Sequence, residues 1–296
     1  MWTGGLQRIE NETNLSLLEF VTFPIRCNVW LMPQLIHPEL SYAVRGVLLN
    51  VYNSLGPMLK EEFYERAIAI GLDKGGIRCE TQKQFEVHYE REQVGLYFVD
   101  VWIEGGKILL ELKVAPQIEP FHRGQAIAYL KVTDADLAIV ANFGGSSLQD
   151  ERLPNFVRDR QVDFAWQPEP QAGDWLYPNL AEQVLRACHR VHFVLGPGFL
   201  HQVYRRSAMI ELRRSQLNYR YIKHLPVEYD GQMLGEQEAR LIFVEDKILL
   251  AVYALRDTDE SLAEQLKARM RRLNVHLGLL ANFHDTRLSV TPVRLK

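Results

Sequence analysis

Cysteine is scarce: three residues in 296, widely spaced and with no Cys-x-x-Cys pair, which leaves neither a disulfide framework nor a thiolate metal site. Cys27, Cys79 and Cys188 read as reduced thiols, and the expected location is cytoplasmic. No apolar run approaches the roughly 20 residues that cross a bilayer, so no membrane partner is expected. Met1-Trp2-Thr3-Gly4-Gly5 shows no basic stretch leading into an apolar one, and no signal peptide is expected. Phosphate-binding glycine loops, a Gly-x-Ser-x-Gly elbow and a Cys–His nucleophile signature are also missing. His189 and His192 stand at helical spacing but without a third or fourth ligand at metal spacing, which argues against zinc. Trp102, Trp166 and Trp175 are too scattered to form a base-stacking platform and read as packing or linker anchors.

What is present is ordinary globular composition, 47% hydrophobic and 24% charged, in a length that suits two domains. A shift of 140 residues lays one half of the chain over the other without a gap. Leu55-Gly56-Pro57 falls on Leu195-Gly196-Pro197, Tyr64 on Tyr204, Lys107-Ile108-Leu109-Leu110 on Lys247-Ile248-Leu249-Leu250, and Ala141-Asn142-Phe143 on Ala281-Asn282-Phe283. Such a register marks a tandem duplication. We read residues 1–36 as an N-terminal extension, 37–150 as the first copy, 151–176 as a linker rich in proline, and 177–296 as the second copy. The stretch Leu15 to Ile36 is apolar enough to pack as a strand.

The net charge of −3 conceals two unlike halves. Residues 37–150 hold 11 Lys and Arg against 16 Asp and Glu, whereas residues 177–296 hold 18 against 13. The basic excess includes Arg205, Arg206, Arg213, Arg214, Arg220 and the cluster Arg269, Arg271 and Arg272. It suits a phosphate-binding surface joined to an acidic half; ordinary segregation of surface charge is the alternative.

Each copy shows one order of elements. Val44, Val47, Leu48 and Val51 recur at helical spacing after Pro38, and Leu59, Phe63, Ala67 and Ile70 mark a second helix ending near Lys74. Three strand-like segments follow, then a helix from about Glu119 and an apolar strand from Leu137 to Asn142. Helix, helix, three strands, helix and strand predict a mixed α/β domain with a sheet between helices.

Glu104-Gly105-Gly106-Lys107 is the strongest turn signal in the chain, because glycine accepts the positive φ of a two-residue hairpin turn. A turn at Gly105-Gly106 sets Asp100 opposite Glu111, and strand alternation adds Lys113 to the same face. Opposed side chains lie about 4.5–5.5 Å apart at Cβ. Two such carboxylates repel unless a positive charge lies between them, and a hard divalent cation suits. Lys113 can then orient or deprotonate a water, or stabilise charge on a phosphate. An exposed salt-bridged cluster is the plainer reading. Leu109 shares the charged face, which argues that the face is partly covered.

The pattern Asp100…Glu111-Leu112-Lys113 resembles the PD-(D/E)XK nuclease superfamily. More narrowly, each copy resembles the GxxExxY proteins: Glu61 and Tyr64 fall on the motif's E and Y, His122-x-x-Gln125-x-x-x-Tyr129 follows on the next helix, and Asn142-Phe143 ends the last strand. The resemblance implies two tandem restriction-endonuclease-like α/β/α domains and a Mg²⁺-dependent (or Mn²⁺-dependent) site acting on phosphodiester bonds. It makes Asp100 and Glu111 metal ligands, Lys113 the catalytic lysine, Glu61 a nearby helix-borne carboxylate and Gln125 an accessory residue. Tyr64 is open between site and core, and His122 reads as a helix-start residue.

The sequence also departs from that pattern. Met58 replaces the motif's first glycine, and Gly105-Gly106 lengthens the Asp-to-Glu spacing by one residue. In the second copy Ala251 stands for Glu111, Tyr253 for Lys113, His201 for Glu61, and Arg240 or Leu241 for Asp100. Gly198 and Tyr204 remain, so the fold is expected to persist without a metal site. Three readings stay open at this point. The chain is a nuclease with one active copy and one basic copy that contacts nucleic acid, DNA or RNA. Alternatively it is an inactive pseudo-nuclease that binds nucleic acid or a protein. As an intramolecular pseudo-dimer, its two copies would meet near a two-fold axis across an apolar interface.

Overall fold

The computed structural model describes residues 35–156, 163–167, 175–257 and 259–295. The strand expected between Leu15 and Ile36, and most of the linker prolines, lie outside the described residues. The apolar periodicity of the first copy becomes helix α1 (Pro38–Leu55) and helix α2 (Glu61–Lys74). Strands β1 (Cys79–Tyr89), β2 (Glu92–Ile103) and β3 (Ile108–Lys113) follow, then helix α3 (Pro120–Thr133) and strand β4 (Leu137–Asn142). A fifth strand, β5 (Gln149–Pro154), takes in residues read from sequence as the start of the linker.

The second copy repeats all of this at the same offset. It comprises α4 (Pro178–Leu195), α5 (His201–Arg214), β6 (Tyr219–Tyr229), β7 (Gln232–Val244), β8 (Ile248–Tyr253), α6 (Glu260–Leu273), β9 (Leu277–Asn282) and β10 (Ser289–Arg294). Each copy is a five-stranded mixed sheet in sequential order. Only the pair β3–β4, or β8–β9, runs parallel, because a helix crosses between those strands. Among the described residues no helix is long and apolar enough to cross a membrane.

Two details of the repeat differ from the sequence reading. The hairpin closes through four residues, not two: Ile103 pairs with Ile108 around a short 3₁₀ turn over Glu104–Gly106. Glu104, Gly105 and Gly106 all take positive φ there. The turn keeps the same centre, so Val101 faces Leu110 and the strand register is the expected one. The copies also do not match without a gap. Strand β7 carries one extra residue, bulged at Arg240 with φ 51°, and the turn that follows it is one residue shorter.

Three apolar layers hold the molecule. Val44, Leu48, Tyr64 and Ile68 close α1 and α2 onto one face of the first sheet. Leu249, Ala251, Leu266 and Met270 join the second sheet to α6. Between them a continuous core runs from Leu109 and Val140 of the first sheet, through Tyr129 of α3 and Val191 and Val203 of α4 and α5, to Leu250 and Leu279 of the second. Among the described residues the copies meet head to tail, not across the two-fold contact that the pseudo-dimer reading would require. The first copy offers mainly β1, β2 and α3; the second offers α4 and α5 together with the loops carrying Arg256 and His284, which meet Glu119 and Phe121. Gly95 makes this approach possible, since a Cβ there would come within 2.5 Å of Val203.

Charge runs across the same contact. Glu90 and Glu92, at the tip of the β1–β2 hairpin, meet Arg190, Arg214 and Arg213 of the second copy. Buried Glu211 accepts from the Tyr89 hydroxyl at 2.7 Å and pairs with Arg190 at 3.1 Å. The opposite charges of the two halves thus face each other here.

Candidate active site

Several motif residues hold the fold and recur in both copies. The Tyr64 hydroxyl donates to the Gly56 carbonyl at 2.7 Å and accepts from the Leu59 N–H, which fixes the turn into α2. Its ring stacks on Phe143 with centroids 4.2 Å apart. Tyr204, Gly196, Phe199 and Phe283 repeat the arrangement. The Asn142 side-chain amide ties down both the N–H and the carbonyl of Ala115, just beyond Lys113, and Asn282 does the same to Leu255. His122, unlike these, is found in the first copy alone, with Leu262 at its place in the second; it is the third residue of α3 and closes a capping box with Glu119. These residues shape the loops that flank the site, and Tyr64 belongs to the core.

A second group is found in the first copy alone. Strands β2 and β3 bring Asp100, Glu111 and Lys113 together as the turn register requires. Asp100 accepts from the Leu112 N–H at 2.8 Å, Lys113 donates to Glu111 Oε1 at 2.7 Å, and Glu61 at the start of α2 accepts from the Val114 N–H at 3.2 Å. Glu111 is only 4% exposed, Asp100 and Lys113 are half-buried, and Glu61 is exposed. Sequence reasoning missed Tyr97, whose hydroxyl donates to Glu111 Oε2 at 2.7 Å. Gln125 stands one step away: it donates to the Tyr129 hydroxyl, and its own Oε1 is buried with no hydrogen-bond partner among the described residues.

Burial is the largest influence on Asp100 and the nearby Glu111 charge is the next; together they raise its pKa from an ordinary 3.8 to about 8. Burial alone would lower Lys113, but Glu111, Asp100 and Glu61 outweigh it and hold the ammonium above its ordinary range. The Asp100 shift has a consequence for stability. Between about pH 4 and 8 the folded chain binds the extra proton, so the residue costs stability that grows through this window and levels off above it. In the absence of divalent cations, Asp100→Asn is expected to change the melting temperature little at pH 4. At pH 8 it should raise it by roughly 5–10 °C, taking a gain of about 2–3 kcal/mol in a chain of this size. Thermal scans across pH check this, and an equal shift at both pH values would sink it.

In the second copy none of the charged set survives. Leu241 faces Ala251 in the ladder and so occupies the place of Asp100, while Arg240 is the bulged residue and bonds His201 and Glu238. The basic residues divide by environment. Arg213 and Arg214 are engaged with Glu92 and Glu90, and Arg220 bonds Asp246 at 2.8 Å and covers the Phe243 ring. Arg269 bonds Tyr253, and Arg271 and Arg272 are exposed in the last turn of α6. Trp102 is packed against Phe85, and Trp166 against His189.

Among the described residues no group of three or more His, Cys, Asp or Glu side chains is arranged to hold a metal ion, and His189 and His192 gain no third ligand. The first copy does offer two adjacent carboxylates, Glu111 buried and Asp100 half-buried, the latter raised in pKa by burial and by the Glu111 charge. That donor set fits Mg²⁺ or Mn²⁺, which take one or two carboxylates and complete their shell with water and substrate phosphate. It does not fit an all-protein cage. The family model of the PD-(D/E)XK nuclease superfamily matches residues 38–153 and again 178–294. No curated protein and no solved structure matches the chain.

Proposed function

Because the chain belongs to the PD-(D/E)XK nuclease superfamily, we propose that its first copy hydrolyses phosphodiester bonds in nucleic acid with a divalent cation, and that its second copy is inactive. The observation that carries the proposal is the set Glu61, Asp100, Glu111 and Lys113, gathered on the interior strands β2 and β3 and the start of α2 in the first copy and replaced throughout in the second. Asp100 and Glu111 would hold Mg²⁺ or Mn²⁺. When bound, such an ion polarises the phosphate and lowers the pKa of a coordinated water. Lys113 contributes a fixed positive charge: its raised pKa keeps it protonated at neutral pH, which suits stabilising charge on the phosphate better than accepting a proton. Glu61, exposed and bonded to the Val114 N–H, stands at the open side of the set, where it orients water or substrate.

The second copy serves the first as an intramolecular partner, and its exposed Arg271 and Arg272, beside the half-buried Arg269, are the phosphate contacts in this reading. Arg213 and Arg214 act chiefly between the copies.

Calorimetric titration of Mn²⁺ into the wild-type chain and into Asp100→Ala and Glu111→Ala tests the site without a guessed substrate. Binding by the wild type and its loss in both variants is the expected result. Equal heats in all three chains, with oligonucleotide present as well as absent, would leave a non-catalytic nuclease-like scaffold as the better reading.

A further inference from the structure

Tyr97 is the link between the carboxylates and the second copy. Its hydroxyl donates to Glu111 Oε2 while Lys113 takes Oε1, so both oxygens of Glu111 are held from the protein side. The Tyr97 ring stacks on Tyr129 with centroids 3.6 Å apart. Phe199, from the turn between α4 and α5, presents its edge to both rings, at 6.3 and 5.6 Å. In the same turn the Gly198 carbonyl accepts from the Tyr129 hydroxyl at 2.8 Å.

The turn fits only because residue 198 is glycine. Its φ is +104°, and a Cβ there would lie 2.4 Å from Gln125 Cγ. The corresponding residue of the first copy, Met58, is 68% exposed. The tyrosine pair is likewise unrepeated: Gln237 and Arg269 stand at the positions of Tyr97 and Tyr129 in the copy that has lost the carboxylates.

We propose that Tyr97 is a positioning residue for Glu111, and that the Gly198–Phe199 turn of the second copy sets Tyr97, so that the copy without a site completes the site of the other. The inference rests on reading Asp100 and Glu111 as metal-holding residues. An aromatic side chain with a single hydroxyl and two torsions is an economical way to fix a carboxylate, provided the ring itself cannot turn. The stack on Tyr129 and the edge of Phe199 supply that restraint.

Three variants of the full chain separate the steps. Tyr97→Phe keeps the stacked ring and removes the hydroxyl; Gly198→Ala keeps the hydroxyl and disturbs the turn; Phe199→Ala removes the edge contact without adding bulk. The readout is the Mn²⁺ dissociation constant from calorimetry, beside the melting temperature. Loss of an outer partner of a metal ligand weakens binding roughly 10–100-fold. A weakening of about tenfold or more is expected in Tyr97→Phe with the melting temperature within a few degrees of wild type. A smaller weakening in the same direction is expected from Gly198→Ala and Phe199→Ala. Wild-type affinity in Tyr97→Phe overturns the role of Tyr97. Weakening there but not in either turn variant overturns the contribution of the second copy. Absence of any Mn²⁺ heat with the wild-type chain overturns the metal-site reading and this inference with it.

Discussion

On the proposed reading, Lys113→Ala is expected to cleave nucleic acid about 10²–10³-fold more slowly than wild type while holding Mn²⁺ at least as tightly. The two effects part because Lys113 has two relations to the site. Its ammonium lies 2.7 Å from Glu111, where it competes with a cation for the same carboxylate, so removing it leaves more negative charge for the metal. In the proposed reaction the same ammonium is the positive charge that remains fixed when charge develops on the phosphate, and that contribution is lost entirely in the variant. Glu111→Ala is expected to lose both binding and cleavage. Steady-state rates at saturating Mn²⁺, set beside calorimetric affinities, check the pair. If Lys113→Ala lost affinity and rate together, the lysine would be a structural partner of Glu111 and no more.

Glu211→Ala should destabilise the chain by about 2–4 kcal/mol, a fall of roughly 5–15 °C in melting temperature. Glu211 is 6% exposed and lies where Arg190, Arg214 and the Tyr89 hydroxyl converge. Truncation leaves a buried hydroxyl without its acceptor and removes one of two carboxylates that balance the two arginines. Glu90 still pairs with both, which keeps the cost below that of a wholly isolated buried charge. Glu211→Gln, which can still accept from Tyr89, should recover about half the loss. Differential scanning calorimetry distinguishes this from a surface effect of under about 1 kcal/mol. Because one core runs through both copies, the transition should stay single.

Much of this molecule is legible in its sequence because the chain states its pattern twice. An offset of 140 residues confirms each helix and strand against its counterpart, and the order of elements follows directly. The pairing of Asp100 with Glu111 survives a mistaken turn, since two- and four-residue loops with one centre give the same register. Other features leave a weaker trace. Strand β5 reads Gln-Asp-Glu-Arg-Leu-Pro, a half-exposed edge strand whose charged residues and proline oppose strand propensity. The bulge at Arg240 is hidden because a shorter turn restores the offset within a few residues. Tyr97 looks like any strand aromatic until a loop a hundred residues away is laid against its ring. The arginines of α5 resemble a phosphate surface and instead meet glutamates of the first copy, a partnership that no local pattern contains.

The head-to-tail contact has a bearing on inheritance as well as on packing. Two stretches of gene that began alike now answer to opposed demands at matching positions. Residue 61 is the helix-borne carboxylate of the proposed site where residue 201 carries histidine, and residue 198 admits no side chain where residue 58 carries methionine at φ 68°, 68% exposed. Gene conversion between the repeats would therefore harm the protein in either direction. Copying the first half over the second would drive a methionine into Gln125, and copying the second over the first would erase the carboxylates. At these positions a return to identity is costly, so the duplication is held apart by its own asymmetry.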